Sequence, residues 1–405
     1  MLPGFTTLHR MLFWELARVF SLCLVALTGL FVVAGLVQQA SQLGLSANQI
    51  FQIIPLFIPS ILPYTIPATT LFASCVVYGR LSNDNEAVAI KAAGIDLYSM
   101  LKPALLLGFL TMLVTAGIGY AIIPRTQVMM HEEIMRDPEE VLYNMLKRDR
   151  NLRIPGAKYV LYVRDVQGRR LIDVVVKRKI NPDAMDYDYI ARTREARLKV
   201  DLERRVFTVD ADAWNVKDRE TVVHSEGTAP IDIELPDIFS TRQIKSRPMA
   251  LEWEELAGRV NELKEERAKV LERRENNRKF AESQTDPLLR KKYASEDEHH
   301  ANALRDADRN IRNVEYEYHI RPALAVGCLV FALIGCPAGI WANRSDYLST
   351  FVICFLPTIA LYYPLLLSGR GLAIDGKIPM ILGVWGANIV VGLLALIQTY
   401  RLVKR

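Results

Sequence analysis

The chain carries no charged residue between Arg18 and Arg80, and none between Lys102 and Arg125. By contrast, residues 251–320 hold 17 acids and 14 Lys/Arg in 70 positions. Over all 405 residues, 51% are hydrophobic and 23% charged, close to the soluble average. The sorting of residue types therefore constrains the fold more than their totals do. Apolar and charged residues that fall in separate blocks do not build one mixed core. The pattern predicts a membrane protein with a large aqueous part.

Six segments approach the ~20 apolar residues needed to cross a ~30 Å hydrocarbon layer: Leu16–Val37, Ile50–Tyr78, Pro103–Ile123, Ala323–Ala342, Leu348–Leu367 and Ile378–Tyr400. They group three and three around a hydrophilic stretch, Arg125–Arg321. The first block is longer than a signal-peptide core and no A-x-A-like site follows it, so it is expected to be a retained span. Arg10, Arg18, Arg80, Lys91, Lys102, Arg401, Lys404 and Arg405 flank the spans on one side, and Gln38–Gln49 on the other has no charge. By the positive-inside rule, both termini and the 80–102 loop face the cytoplasm and the middle lies across the membrane. Arg370 and Lys377 run against this pattern, opposed on the inner side only by Arg344. The net charge of +5 mostly flanks apolar blocks, which reads as topology and not as a nucleic-acid surface. Cys23, Cys75, Cys328, Cys336 and Cys354 all lie in apolar blocks. That excludes a disulfide framework and a C-x-x-C zinc site.

The second span carries Pro55, Pro59, Pro63 and Pro67, one every four residues and near one helical face. Each deletes a backbone hydrogen bond. The helix is expected to bend or unwind, either as a packing kink or as a flexible cavity wall.

In the aqueous middle, Lys158–Arg164 and Leu171–Lys177 alternate about a Gln167-Gly168 turn, and Ala196–Leu202, Val206–Asp212 and Thr221–Glu226 continue the pattern. Short strands at about ten-residue spacing predict an antiparallel sandwich or jelly roll. Its edge has unpaired backbone groups able to accept a strand from another chain. Beyond it, Trp253, Leu256, Val260 and Leu263 keep a 3–4 spacing, and a second seam runs through Leu304, Ala307, Ile311, Val314 and Tyr318. With a break at Thr285-Asp286-Pro287, the two seams predict an antiparallel helical hairpin, apolar at its base and polar at its tip. Such a hairpin serves as a solvated spacer or as a docking arm.

Catalytic constellations are missing from the sequence. Gly371–Ile378 nearly matches G-x-x-x-x-G-K-[ST], but Ile378 has no hydroxyl for magnesium and no strand precedes the loop. His131-Glu132-Glu133 lacks a second metal histidine, and His299-His300 sits in the charged hairpin. No acid lies mid-span as an ion relay requires. The loop from Gly79 to Ile95 reads instead as a short helix, capped by Ser82 or Asn83 and ended by Gly94. Ala87, Ile90 and Ala93-Gly94 would form a small, smooth face beside Glu86 and Lys91. Such a face suits docking into a partner's groove, or serves as an ordinary interfacial loop.

Features along nearly the whole chain resemble the LptF/LptG-type permeases of the lipopolysaccharide export ABC transporter. They are Glu15-Leu16-x-x-Val19, the proline-rich second span, Gly79-Arg80-Leu81 with Glu86 and Ala92–Ile95, Pro124, Glu317-x-His319-x-Arg321-Pro322, Pro337, Arg344, Trp385 and Asn388. The resemblance implies an α+β membrane protein: residues 1–124 with spans one to three and a coupling helix at 82–95, a periplasmic jelly-roll-like domain at 125–250, and spans four to six at 321–405; the charged hairpin at 251–320 is read from its spacing alone. It implies a non-catalytic subunit without cofactor, working with an LptB-like cytoplasmic ATPase dimer, a second LptF/LptG-type permease and LptC/LptA-like bridge proteins. The implied cargo is lipopolysaccharide or a related glycolipid, expected to enter between spans one and five of opposing subunits. Arg80, Asp84, Glu86, Lys91 and Gly94 are the expected ATPase-coupling residues. Phe31, Gln38, Pro59, Pro63, Arg125, Tyr362 and Tyr363 are the expected lipid-cavity or gate residues.

Two departures stand out. The outer end of span one, Gln38–Gln42, is uncharged where family members often carry lysine or arginine, leaving headgroup contacts to Arg125, Arg370 or the partner. The long hairpin has no equivalent in typical members; it is expected to reach toward the periplasmic bridge or envelope. Extracting acyl chains costs ~0.8 kcal/mol per CH₂, so an energy source is needed and a separate ATPase must supply it. The competing reading is a mechanotransmission protein whose hairpin regulates an envelope hydrolase; the 3+3 layout argues against it.

Overall fold

The computed structural model describes residues 7–43, 47–153, 159–179, 187–201, 204, 206–218, 221–226, 230–235, 247–283, 287–341 and 347–404. The helices are α1 (Thr7–Leu43), α2 (Ala47–Asn83), α3 (Glu86–Ala92), α4 (Leu97–Gly117), α5 (Ile123–Ile134), α6 (Pro138–Asp149), α7 (Trp253–Ser283), α8 (Pro287–Trp341), α9 (Tyr347–Ile374) and α10 (Met380–Val403). The strands are β1 (Asn151–Arg153), β2 (Tyr159–Gln167), β3 (Arg170–Lys179), β4 (Tyr187–Asp201), β5 (Val206–Asp210), β6 (Ala213–Asp218), β7 (Thr221–Glu226) and β8 (Ile231–Glu234). The chain divides into a helical unit, 1–31 with 58–125 and 248–405, and a second unit, 32–57 with 126–247.

Among the described residues, five helices are long and apolar enough to cross a membrane: Thr7–Gly35, Phe51–Asn83, Tyr98–Glu133, Lys292–Trp341 and Met380–Leu402. A shorter apolar helix, Thr358–Ile374, covers the second half of α9. The proline-rich α2 does not unwind. It is helical without interruption from Ala47 to Asn83. Prolines four apart leave unpaired mainly the carbonyl of the proline one turn earlier, so the loss is confined to one stripe of the helix. Tyr363 donates from its hydroxyl to the Tyr64 carbonyl at 2.6 Å on that same helix. Span three likewise does not stop at Pro124. Pro124 has no N–H for the Tyr120 carbonyl, and the helix passes through a π turn, Ile118–Ile122, just before it and continues as α5.

Within the helical unit, Leu71 and Cys75 of α2, Phe331 and Ile334 of α8, Tyr362 and Leu366 of α9, and Val384 and Val391 of α10 share one core. Small residues let these backbones approach, because packing and not the hydrophobic effect joins helices in lipid. The Gly335-x-x-x-Gly339 pair of α8, a signal passed over in the sequence, faces α2: a Cβ at Gly339 would lie 2.9 Å from the Cys75 carbonyl oxygen. α8 is one continuous helix of 55 residues, about 80 Å at 1.5 Å per residue. Its N-terminal half packs antiparallel on α7 through Leu256, Leu263, Ile311 and Val314, with Trp253, Val260 and Tyr318 beside them. Trp253 stacks on Tyr318 at 4.0 Å between centroids. Further out, ion pairs replace apolar contacts: Lys264–Glu315 at 3.4 Å, Arg267–Asp308 at 2.5 Å and Arg274–Asp297 at 3.0 Å. The break expected at Thr285-Asp286 lies outside the described residues.

In the second unit, the eight described strands pair antiparallel in the order β1-β2-β3-β4-β5-β8, with β6 on β4 and β7 on β6. The Gln167-Gly168 turn closes β2 on β3 through the pair Gln167–Arg170, with Gly168 at φ +62°. β4 is the hub. Its first part pairs with β3 and β6, and Arg197–Asp201 pair with β5. β1, β6, β8 and α6 are absent from the sequence reading. Short or charge-rich strands such as Asn151–Arg153 show little alternation to read. Trp214, Phe207, Val174 and Leu161 form the core with Val141, Leu142 and Leu146 of α6. Tyr143 of α6 accepts a bond from the Leu198 amide at 2.7 Å and donates to the Arg169 carbonyl at 2.8 Å. Burial pushes its phenol pKa up.

The closest helix approach supplies a test. A Cβ on Gly369 would lie 2.1 Å from the Gly383 carbonyl oxygen, whereas a Cβ on Gly371 would meet nothing within 4 Å. Gly369→Ala is expected to lower the melting temperature in detergent by several degrees, at an overpacking cost of about 1–3 kcal/mol. Gly371→Ala should leave it unchanged or raise it slightly.

Candidate functional site

Two features of the helical unit combine fixed geometry with polar chemistry. The first is the turn between α2 and α4. α2 runs on to Asn83, so neither Ser82 nor Asn83 caps α3; the Ser82 hydroxyl donates to the Ile340 carbonyl of α8 at 2.9 Å. The cap position falls to Asn85, left-handed at φ 59° with no side-chain bond. At the other end Gly94 stops the helix as expected. At φ +78° it gives its amide to the Lys91 carbonyl, and Ile95 gives its own to Ile90, closing the last carbonyls of α3.

The base of this turn is clamped from several helices. Arg80 meets Glu15 of α1 at 2.7 Å, His9 meets the Ser99 carbonyl and hydroxyl at 2.9 Å, and the Tyr78 hydroxyl donates to the Met100 carbonyl at 2.5 Å. The orientation of α3 departs from the smooth-face expectation. Ala87 is buried and Ile90 packs against the cluster that includes Leu12, Leu16, Leu81 and Leu101, so those two residues face inward and hold the helix down. The outward face is Val88, 59% exposed, with Ala89, Lys91 and Ala92. Glu86 is half-buried at the first turn, and Asp84, Lys91 and Gly94 are exposed. Of the expected coupling residues, four thus lie on or beside α3, while Arg80 is engaged with Glu15.

The second feature is a polar cluster at the α7–α8 base and the neighbouring helices. Arg321, whose side chain is 4% exposed, lies 3.3 Å from Glu317 one turn earlier. Its guanidinium also donates to the carbonyls of Leu251 at 3.1 Å, and of Pro248 and Met249 at 3.2 Å. Arginine's planar fork suits this task, since one side chain satisfies a carboxylate and three carbonyls at once. Nearby, the Arg370 guanidinium sits 4.8 Å over the Tyr316 ring. Tyr362 shares a bond of 3.0 Å with Asn388, whose amide donates to the Ala323 carbonyl at 2.7 Å. The sequence reading quoted Glu317, Arg321 and Asn388 as motif residues without placing them in a site. For Asn388 the available signal was an amide inside the last apolar block; Glu317 and Arg321 stand just before the fourth block and carried no such signal.

The expected lipid-path residues separate. Tyr362 and Tyr363 stand together, ring to ring at 5.3 Å, and Tyr362 is buried. Pro63 is buried and Pro59 half-buried, whereas Phe31 is 49% exposed and Arg125 is exposed. The Gln38 side chain and Arg344 lie outside the described residues. The near-P-loop is a helix end. α9 stops at Ile374, Gly376 at φ +75° gives its amide to Ala373, Lys377 gives its own to Leu372, and Arg312 donates to the Ile374 carbonyl. Among the described residues no group of three His, Cys, Asp or Glu is placed to hold a metal ion.

A test of the second feature follows from its burial. Arg321→Gln removes the charge facing Glu317, and breaking a buried pair costs about 3–5 kcal/mol. The variant is expected to melt markedly earlier in detergent and to be cleaved faster by protease near residues 247–252. Glu317→Gln, which leaves the buried Arg321 cation without its counter-charge, should also melt earlier, but with the 247–252 segment still held by the three carbonyl bonds it should not be cleaved faster there.

The family model described as Lipopolysaccharide export system permease LptF/LptG matches residues 10–401. No curated protein matches the chain.

Proposed function

We propose a function from one premise: the chain belongs to the LptF/LptG family of lipopolysaccharide export permeases, matched over nearly its whole length. It is a multi-pass membrane protein and a transporter subunit. In our reading it is one half of the membrane part of an ABC transporter. Six spans, α9 supplying the fifth, lie in the bacterial inner membrane with both termini in the cytoplasm. The antiparallel sheet serves as a jelly-roll-type periplasmic domain. The subunit pairs with a second LptF/LptG-type permease, takes lipopolysaccharide or a related glycolipid from the outer leaflet, and passes it to LptC/LptA-like bridge proteins. Exposed Phe31 and Arg125 meet the lipid. Buried Tyr362 and Pro63 reach it only when helices part.

The observation that carries this reading is α3. A seven-residue helix is held by Ala87 and Ile90 on one side and closed by Gly94, and it turns Val88 and Lys91 outward. The clamps at its base, from Glu15–Arg80 to Ser82–Ile340, tie it to α1, α2, α4 and α8. A push on α3 therefore reaches transmembrane helices without passing through a flexible loop. In this reading an LptB-like ATPase docks there, with Glu86 as the coupling acid beside Asp84 and Lys91.

Co-purification in mild detergent tests it. The wild-type chain should bring down an ABC ATPase and a glycolipid identified by mass spectrometry. Glu86→Arg should reduce the ATPase at least about tenfold, in line with 1.4 kcal/mol or more of lost binding, while the chain still melts normally. Co-purified hydrolases without glycolipid would contradict export.

A further inference from the structure

At the ends of α8 and α10 lies an open cavity of about 640 Å³, lined by Trp341, Tyr400, Arg401 and Lys404. Volumes of this order belong to small-molecule sites. Two kinds of side chain meet there. Trp341 and Tyr400 are 39% and 64% exposed, and each stands at the end of a span. Large aromatics with a polar edge concentrate at that depth, where acyl chain gives way to headgroup. Arg401 and Lys404 are both exposed. Lys404 lies 3.1 Å from the Tyr400 hydroxyl and 5.3 Å over its ring. Among the described residues, neither cation has a carboxylate partner.

A favourable field at the C-terminus of α10 accounts for a basic residue in its last turn. It does not account for two cations and two aromatics lining one cavity between two helices. Basic pockets between spans at a membrane surface select anionic headgroups. We propose that this cavity binds an anionic phospholipid of the bilayer. The phosphodiester lies between Arg401 and Lys404, and the glycerol and upper acyl chains lie against Trp341 and Tyr400. Assigning it to the cytoplasmic leaflet rests on the topology proposed above; the site itself does not.

The test uses the full-length chain purified in neutral detergent. Phosphatidylglycerol or phosphatidylcholine is titrated in, and bound lipid is counted by native mass spectrometry. This readout involves neither export nor ATP hydrolysis, so its failure is separate from failure of the permease reading. Phosphatidylglycerol should bind preferentially. The double variant Arg401→Gln/Lys404→Gln should weaken it by about 30-fold, corresponding to about 1 kcal/mol per cation. Arg10→Gln/Arg18→Gln, which removes two exposed cations of α1 outside the cavity, should leave it within about twofold. Equal losses in both double variants would mean diffuse attraction and overturn the site. So would equal binding of phosphatidylcholine. Displacement of the lipid by millimolar glycerol 3-phosphate would show a soluble-phosphate site and overturn the lipid assignment.

Discussion

Hydrocarbon offers a backbone no hydrogen-bond partner and a charge no solvation, and most of this chain's architecture depends on that constraint. It explains why charge is absent from Arg18 to Arg80, and why α2 stays helical through four prolines. A helix that unwound in lipid would expose many unpaired groups, whereas prolines one turn apart expose few. The same constraint gives glycine its role at the helix contacts. Where burying apolar area yields nothing, close contact does, and Gly335, Gly339, Gly369 and Gly383 admit neighbouring atoms closer than a Cβ allows.

Polar chemistry then concentrates at the helix ends. Arg321 closes the start of the 248–251 turn where α7 leaves toward the α8 arm. Arg312 closes the end of α9, and Ser82 and Arg80 close the start of the α3 turn. Because α8 is continuous from Pro287 to Trp341, the ion-paired arm and the membrane span are one rod. A rotation of the span would be carried to the arm without loss at a joint. This gives the hairpin a mechanical place in a transporter subunit.

Much of this was legible in the sequence, for physical reasons that also mark where legibility ends. The 3–4 spacing of Trp253, Leu256, Val260 and Leu263 is the spacing of the side chains that pack against Ile311 and Val314. The strands over 159–179 were visible because valines alternate with polar residues about a Gly168 turn. The first part of β4, Tyr187–Glu195, was not, because its arginines and aspartate mask the period. Cap chemistry misled at Ser82, since a serine that caps a helix and one that bonds a neighbouring helix look alike in sequence. The inward turn of Ala87 and Ile90 was equally hidden. Spacing gives a face, but only packing says which way the face points. Arg321 stood in the sequence as a motif residue, and its three carbonyl partners, some 70 positions away, follow only from the fold.

In the proposed function the outward face of α3 receives an ATPase. Single cysteines at Val88, on that face, and at Ala87, on the buried one, are treated with a short bifunctional cross-linker in membranes containing the whole complex. An adduct with the ATPase is expected from Val88→Cys and none from Ala87→Cys. An ATPase adduct from Ala87→Cys alone, or none from Val88→Cys in a complex that still co-purifies, would contradict it.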